Sequence, residues 1–201
     1  MADDTGLLGA LIGSRICHDL ISPVGAIQNG IELLTLEGRG GPELALIEES
    51  VANASARIRF MRVAFGRAAA GQSIGRREIV GILDDLARGG RIRYDWTTRD
   101  DCDRAAVQEI FLAAMCLESA MPRGGRISIA RDNGNWAVSA DTDLSRPDPA
   151  LWQMLKGERR PAETVQPAHV QFLLLSMLLE ARGAAAEVTE GDGTVTLAFH
   201  A

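Results

Sequence analysis

The sequence predicts an α+β fold: an N-terminal antiparallel helical hairpin that forms a dimeric four-helix bundle, then a C-terminal α/β sandwich. Apolar residues at Leu44, Ile47, Val51, Ala54, Ile58, Met61 and Phe65 recur at alternating spacings of 3 and 4, an unbroken heptad pattern. A run of small residues at 68–75 then breaks the helical pattern. After it, helical and strand-like segments alternate to the end of the chain, which predicts sheet covered by helices.

The first helix is predicted over about 5–37, with Asp4 or Thr5 as its cap. At roughly 100° per residue, Ile16, Leu20, Val24, Ile27, Ile31 and Leu34 fall within about 80° of one another and make one apolar stripe. Glycines at 38, 40 and 41 end this helix, and Pro42 starts the second, which is predicted to reach Ala69. Two long helices joined by so short a connection form an antiparallel hairpin. A hairpin with one stripe per helix needs a further surface to cover it, so two copies packed together are expected. The alternative is a bundle closed within one chain by a later helix. The expected division is residues 1–72 for the hairpin and 73–201 for the sandwich.

In the second part, 78–88 reads as a helix, 92–96 as a strand and 104–121 as a helix with Val107, Ile110, Phe111, Ala114, Met115 and Leu117 inward. Strands at 126–130 and 136–140 flank the hairpin turn Asp132-Asn133-Gly134-Asn135. The polar, proline-containing span 141–164 carries a short helix at about 149–156. An apolar helix follows at 166–181, ended by Arg182-Gly183. Strands at 186–189 and 194–198, joined across 190–193, close the chain.

Composition removes several function classes. With 46% hydrophobic residues in 201, a packed core is expected. A net charge of -6 argues against nucleic acid as the main ligand. Cys17, Cys102 and Cys116 fit no disulfide or metal pattern and read as reduced thiols. The acidic start is no signal peptide, and the run 172–179, broken by Ser176, is short of a membrane span. A soluble, cytoplasmic protein that binds no membrane is expected.

The chemistry concentrates in the first helix. His18 lies about 200° from Ile16, nearly opposite the stripe, and so faces water. Leu11, Ser14, Arg15, Ile21, Ser22, Gly25, Gln28 and Asn29 share its face. Leu11 and Ile21 are apolar residues on a face that should be polar, which marks a docking surface. Gly25 lets another backbone approach, and Pro23 loosens the helix one turn after the histidine. A lone surface histidine on a solvated helix is the bland alternative.

The segment His18-Asp19-Leu20-Ile21-Ser22-Pro23-Val24 resembles the phosphoacceptor box of two-component histidine kinases. The longer run Cys-His-Asp-Leu-Ile-Ser-Pro-Val-Gly-Ala-Ile, followed by Asn-Gly and Glu-Leu-Leu, is similar to the ChpT-type histidine phosphotransferases of alphaproteobacteria, over essentially the whole chain. The second part follows the element order of a histidine kinase ATP-binding domain. It departs from that pattern at the nucleotide elements. Ser119 stands where the magnesium-binding asparagine would be, 139–145 has no glycine, and 164–170 replaces the glycine-rich lid. Phosphoryl chemistry on ATP without these is improbable, so a sandwich without a nucleotide site is expected.

The resemblance implies that His18 takes a phosphoryl group from the receiver aspartate of a CckA-type hybrid kinase. It implies CtrA-type and CpdR-type response regulators, which govern cell-cycle or developmental transcription and proteolysis, as acceptors. No cofactor would bind this chain, and Mg²⁺ would come from the receiver. Asp19 is expected either to hold the useful tautomer of His18 or to be a solvated acid. Arg15 offsets phosphoryl charge or forms a surface ion pair, and Ser22 bonds the phosphoryl group or its own backbone. His169 and His200 read as structural or surface residues. An autophosphorylating kinase with a divergent ATP site and a non-catalytic receiver-binding adaptor are the alternative functions.

Overall fold

The computed structural model describes residues 2–37, 42–132, 134–141, 148–158, 162–191 and 193–200. Helix α1 spans Ala2–Glu37 and runs through Pro23 without ending. Helix α2 spans Pro42–Ala64 and packs against α1. The 38–41 connection and the side chains of Asp4 and Thr5 lie outside the described residues.

The heptads of α2 split into two sets. Ile47 is half-buried, and Ala54 and Met61 are buried, whereas Leu44, Val51 and Ile58 are about half exposed. On α1, Val24 and Ile31 are likewise exposed, while Ile16, Leu20, Ile27 and Leu34 are half-buried. One chain therefore covers one side of the seam and leaves the other open. By length and composition alone, the segment Leu7–Leu34 of α1 is long and apolar enough to cross a membrane, a test that the core helix of a soluble protein also passes. Arg15 and Asp19 stand inside that segment, and each ionised group at a bilayer centre costs roughly 3 kcal/mol or more.

Helix α2 stops at Ala64, short of the expected 69. The cause is tertiary: Arg104 donates to the Arg62 carbonyl at 2.9 Å and Gln108 to that of Ala64 at 3.0 Å, taking acceptors that a longer helix would need. A Cβ on Gly66 would sit 2.2 Å from the Arg62 oxygen, so only glycine permits this exit. The last turns of α2 enter the main core, where Phe60 stacks on Phe111 with centroids 4.5 Å apart.

The remaining elements are β1 (Ser73–Ile74), α3 (Arg76–Arg88), β2 (Ile92–Trp96), β3 (Cys102–Asp103), α4 (Arg104–Ser119), β4 (Gly125–Asp132), β5 (Asn135–Asp141), α5 (Pro149–Leu155), α6 (Val170–Glu180), β6 (Glu187–Gly191) and β7 (Thr194–His200). The main sheet has the order β2-β4-β5-β7-β6; β2 and β4 are parallel and the other pairs antiparallel. Along β4, β5 and β7, side chains such as Ile127, Ile129, Val138 and Leu197 are fully buried, and alternate positions are half-exposed. That period of two is the mark of a sheet with one face covered, here by α4 and its neighbours α5 and α6. The two-residue pair β1–β3 was not expected, because two residues show no period. The apolar helix starts at Val170 rather than 166: Gln166 is extended before Pro167, and a 3₁₀ turn, Pro167–His169, precedes α6.

Candidate functional site

His18 projects from the middle of α1 with its side chain 82% exposed. Its Nδ1 lies 3.1 Å from Asp19 Oδ1. The other carboxylate oxygen of Asp19 accepts from Arg15 Nε at 2.8 Å. Arg15 NH1 in turn donates to the Ala168 carbonyl and, at 3.3 Å, to Oε1 of the fully buried Gln171. The i to i+4 spacing of Arg15 and Asp19 makes their pairing a property of α1 itself. The link onward ties that helix to the start of α6.

This chain of bonds fixes the chemistry of the imidazole. An ionised carboxylate only accepts hydrogen bonds, and Arg15 only donates. Nδ1 of His18 must therefore carry the proton it gives to Asp19. In the neutral ring Nε2 then carries the lone pair, as a nucleophile requires, on a side chain that is mostly exposed.

Two cavities flank the ring. One, of about 350 Å³, lies along the α1–α2 groove and includes Ser22, Ser50 and Asn53. The other, of about 440 Å³, lies between α1 and the second part of the chain and includes Arg91, Glu118, Ser119 and His169. The two share His18, Asp19, Arg57 and Gly89. Burial raises the Glu118 carboxyl above the ordinary range, with Arg57 and Arg15 pulling it back and Asp19 pushing it further up. Burial also lowers the His169 imidazole, reinforced by Arg15 and opposed by Asp148, so its neutral form is favoured.

The predicted docking face divides. Ile21 is 69% exposed, and Ser14, Ser22, Gln28 and Asn29 are exposed around it; Gly25 is half-buried. Leu11 is a correction: it is 8% exposed and belongs to the main hydrophobic core. Arg15 is a second correction, since its guanidinium is committed to Asp19, Ala168 and Gln171 rather than open to a partner. The physical reason is the same for both: the 3₁₀ turns Ala162–Thr164 and Pro167–His169 and helix α6 fold back onto α1 and cover a face that an isolated helix would leave to water.

Sequence reasoning missed Arg57, Glu118 and the approach of His169. For Arg57 a signal existed, because Ser22 and Arg57 lie equally far from the 38–41 connection and so face each other in an antiparallel hairpin. For Glu118 and His169 no local pattern exists; only the fold brings them to the cavity. His200 pairs with Asn135 across β5 and β7, among the strands. Among the described residues no cluster of three or more His, Cys, Asp or Glu side chains is arranged to hold a metal ion.

Comparison with known proteins places this geometry in context. A sequence profile of the family described as the histidine phosphotransferase C-terminal domain matches residues 76–194. The protein phosphotransferase ChpT of Brucella abortus (strain 2308) is 33% identical over 182 residues, covering 88% of this chain and 87% of that one. A solved bacterial phosphotransferase superposes with a TM-score of 0.79 at 30% identity, covering 96% of this chain and 95% of the other.

Proposed function

The chain belongs to the ChpT-type histidine phosphotransferases, and on that premise we propose that His18 is its phosphoacceptor, carrying a phosphoryl group between the aspartates of two receiver domains. The observation that carries the reading is the exposed ring whose Nδ1 is held by Asp19, leaving Nε2 free. The Nε2 lone pair attacks phosphorus in the aspartyl phosphate of the donor. The P–O bond to the donor carboxyl breaks, and its electron pair leaves on that carboxylate as the N–P bond forms. The ring's positive charge is shared through the Nδ1 proton with Asp19. In the second half-reaction an acceptor aspartate attacks phosphorus, and the N–P electron pair returns to Nε2.

Mg²⁺ is supplied by the acidic pocket of the receiver, and the chain uses no ATP. Support for the latter is the replacement of the three kinase nucleotide elements at Ser119, 139–145 and 164–170. The donor is the receiver domain of a CckA-type hybrid kinase, and the acceptors are CtrA-type and CpdR-type regulators of the cell cycle. The protein acts in the cytoplasm as a homodimer. Support for the dimer is the half-open seam: Leu44, Val51 and Ile58 recur every seven residues on the exposed side of α2, beside Val24 and Ile31. The dimer joins these seams into a four-helix bundle.

The test is incubation with a labelled phospho-receiver. Label passes to the wild-type chain and onward to a second receiver. Labelling from ATP alone would favour a kinase, and binding without labelling would favour an adaptor.

A further inference from the structure

We propose that Arg57 is a further catalytic residue of the relay, its guanidinium gripping the oxygens of the phosphoryl group on His18. The inference rests on His18 being the phosphoacceptor. Arg57 projects from α2 into both cavities that flank the histidine. Among the described residues it makes no hydrogen bond or ion pair. Its neighbour Arg59 is, by contrast, paired with Asp85, and Arg15 is held by three acceptors.

The need for such a group follows from charge. A phosphoryl group on nitrogen brings about two negative charges at neutral pH. It forms beside Asp19, whose carboxylate is already against the ring. Arg15 neutralises Asp19 but is spent in doing so. A guanidinium presents a planar fork that matches phosphoryl oxygens two at a time. Arg57 enters the cavity from the opposite helix of the hairpin, so it approaches the phosphoryl group without displacing the Asp19 bond to Nδ1. As the N–P bond forms and the P–O bond to the donor breaks, Arg57 holds the equatorial oxygens and gives up no proton.

The competing role is that Arg57 serves only to balance Glu118, whose carboxyl feels its field. Two backgrounds separate the roles. Arg57→Ala and Arg57→Gln are made in the full chain and again with Glu118→Gln, which removes the acid. Transfer from a labelled phospho-receiver is followed across receiver concentration. The proposal expects both Arg57 variants to slow transfer at saturating receiver by roughly a hundredfold to a thousandfold. It expects little change in the half-saturating concentration and the same loss in the Glu118→Gln background. Wild-type transfer at saturation, a loss confined to receiver affinity, or a loss that vanishes with Glu118→Gln would overturn it. His18→Ala measured alongside tells the two claims apart: label accepted by that variant defeats the His18 assignment itself.

Discussion

Replacing Asp19 with Asn tests the tautomer argument within an almost unchanged shape. In the wild type Oδ2 accepts from Arg15 Nε at 2.8 Å, and Oδ1 meets His18 Nδ1 at 3.1 Å. Asparagine has one carbonyl oxygen and one NH₂. Arg15 can only donate, so the oxygen turns to Arg15 and the NH₂ turns to His18. The NH₂ then donates to Nδ1, the ring proton moves to Nε2, and the lone pair needed for attack is gone. The variant also loses a charge-assisted hydrogen bond, worth about 1.5–3 kcal/mol. That corresponds to a rate loss of roughly tenfold to two-hundredfold. The ring is 82% exposed, so water can take the place of the lost partner, which holds the loss within that range rather than abolishing transfer. The assay is transfer from a phospho-receiver at saturation, with nitrogen NMR of the labelled imidazole reporting the tautomer. Wild-type transfer by the variant, or an Nδ1–H tautomer that persists without the carboxylate, would refute the reasoning.

Changing Val51 and Ile58 together to Asp places charge on the open side of the seam; sedimentation should show monomers, and an unchanged dimer would move the interface elsewhere. Ile21→Glu, at a position 69% exposed, should leave thermal stability within about 0.5 kcal/mol and weaken receiver binding about tenfold or more; a large drop in melting temperature with unchanged affinity would contradict the docking role. Glu109 gives a pH dependence: burial raises its carboxyl from 4.5 to about 7 despite Arg182 at 2.8 Å. The folded state thus holds the proton more tightly than the unfolded state. Its contribution is fully present below about pH 4.5 and is lost as pH rises through 7, by at most about 3 kcal/mol. Urea midpoints at about pH 5 and about pH 8 should differ in the wild type and differ less in Glu109→Gln; equal differences would contradict this.

What could be read from the sequence was what repeats locally. The 3–4 spacing on α2 and the strand at 92–96 were legible because each element's own residues carry its period. The end of α2 was not, because Arg104 and Gln108, far along the chain, take its last carbonyls. Leu11 and Arg15 show the same limit inside the site. Helical phase placed both beside His18 on α1, which is true of the helix alone. Whether that face meets water depends on Ala168, Gln171 and the core around them. His18, Asp19, Ile21 and Ser22 were legible as a cluster because they lie within about one turn of one helix. Arg57 comes from the opposite helix and needed the hairpin register.

The most direct test of the account is mass-spectrometric location of the label after brief incubation with a phospho-receiver, under conditions that preserve phosphohistidine. The account predicts a single modified residue, His18, and no labelling of a His18→Ala variant that keeps the wild-type melting temperature. Label on His169 or His200, or undiminished labelling of the folded His18→Ala variant, would contradict it.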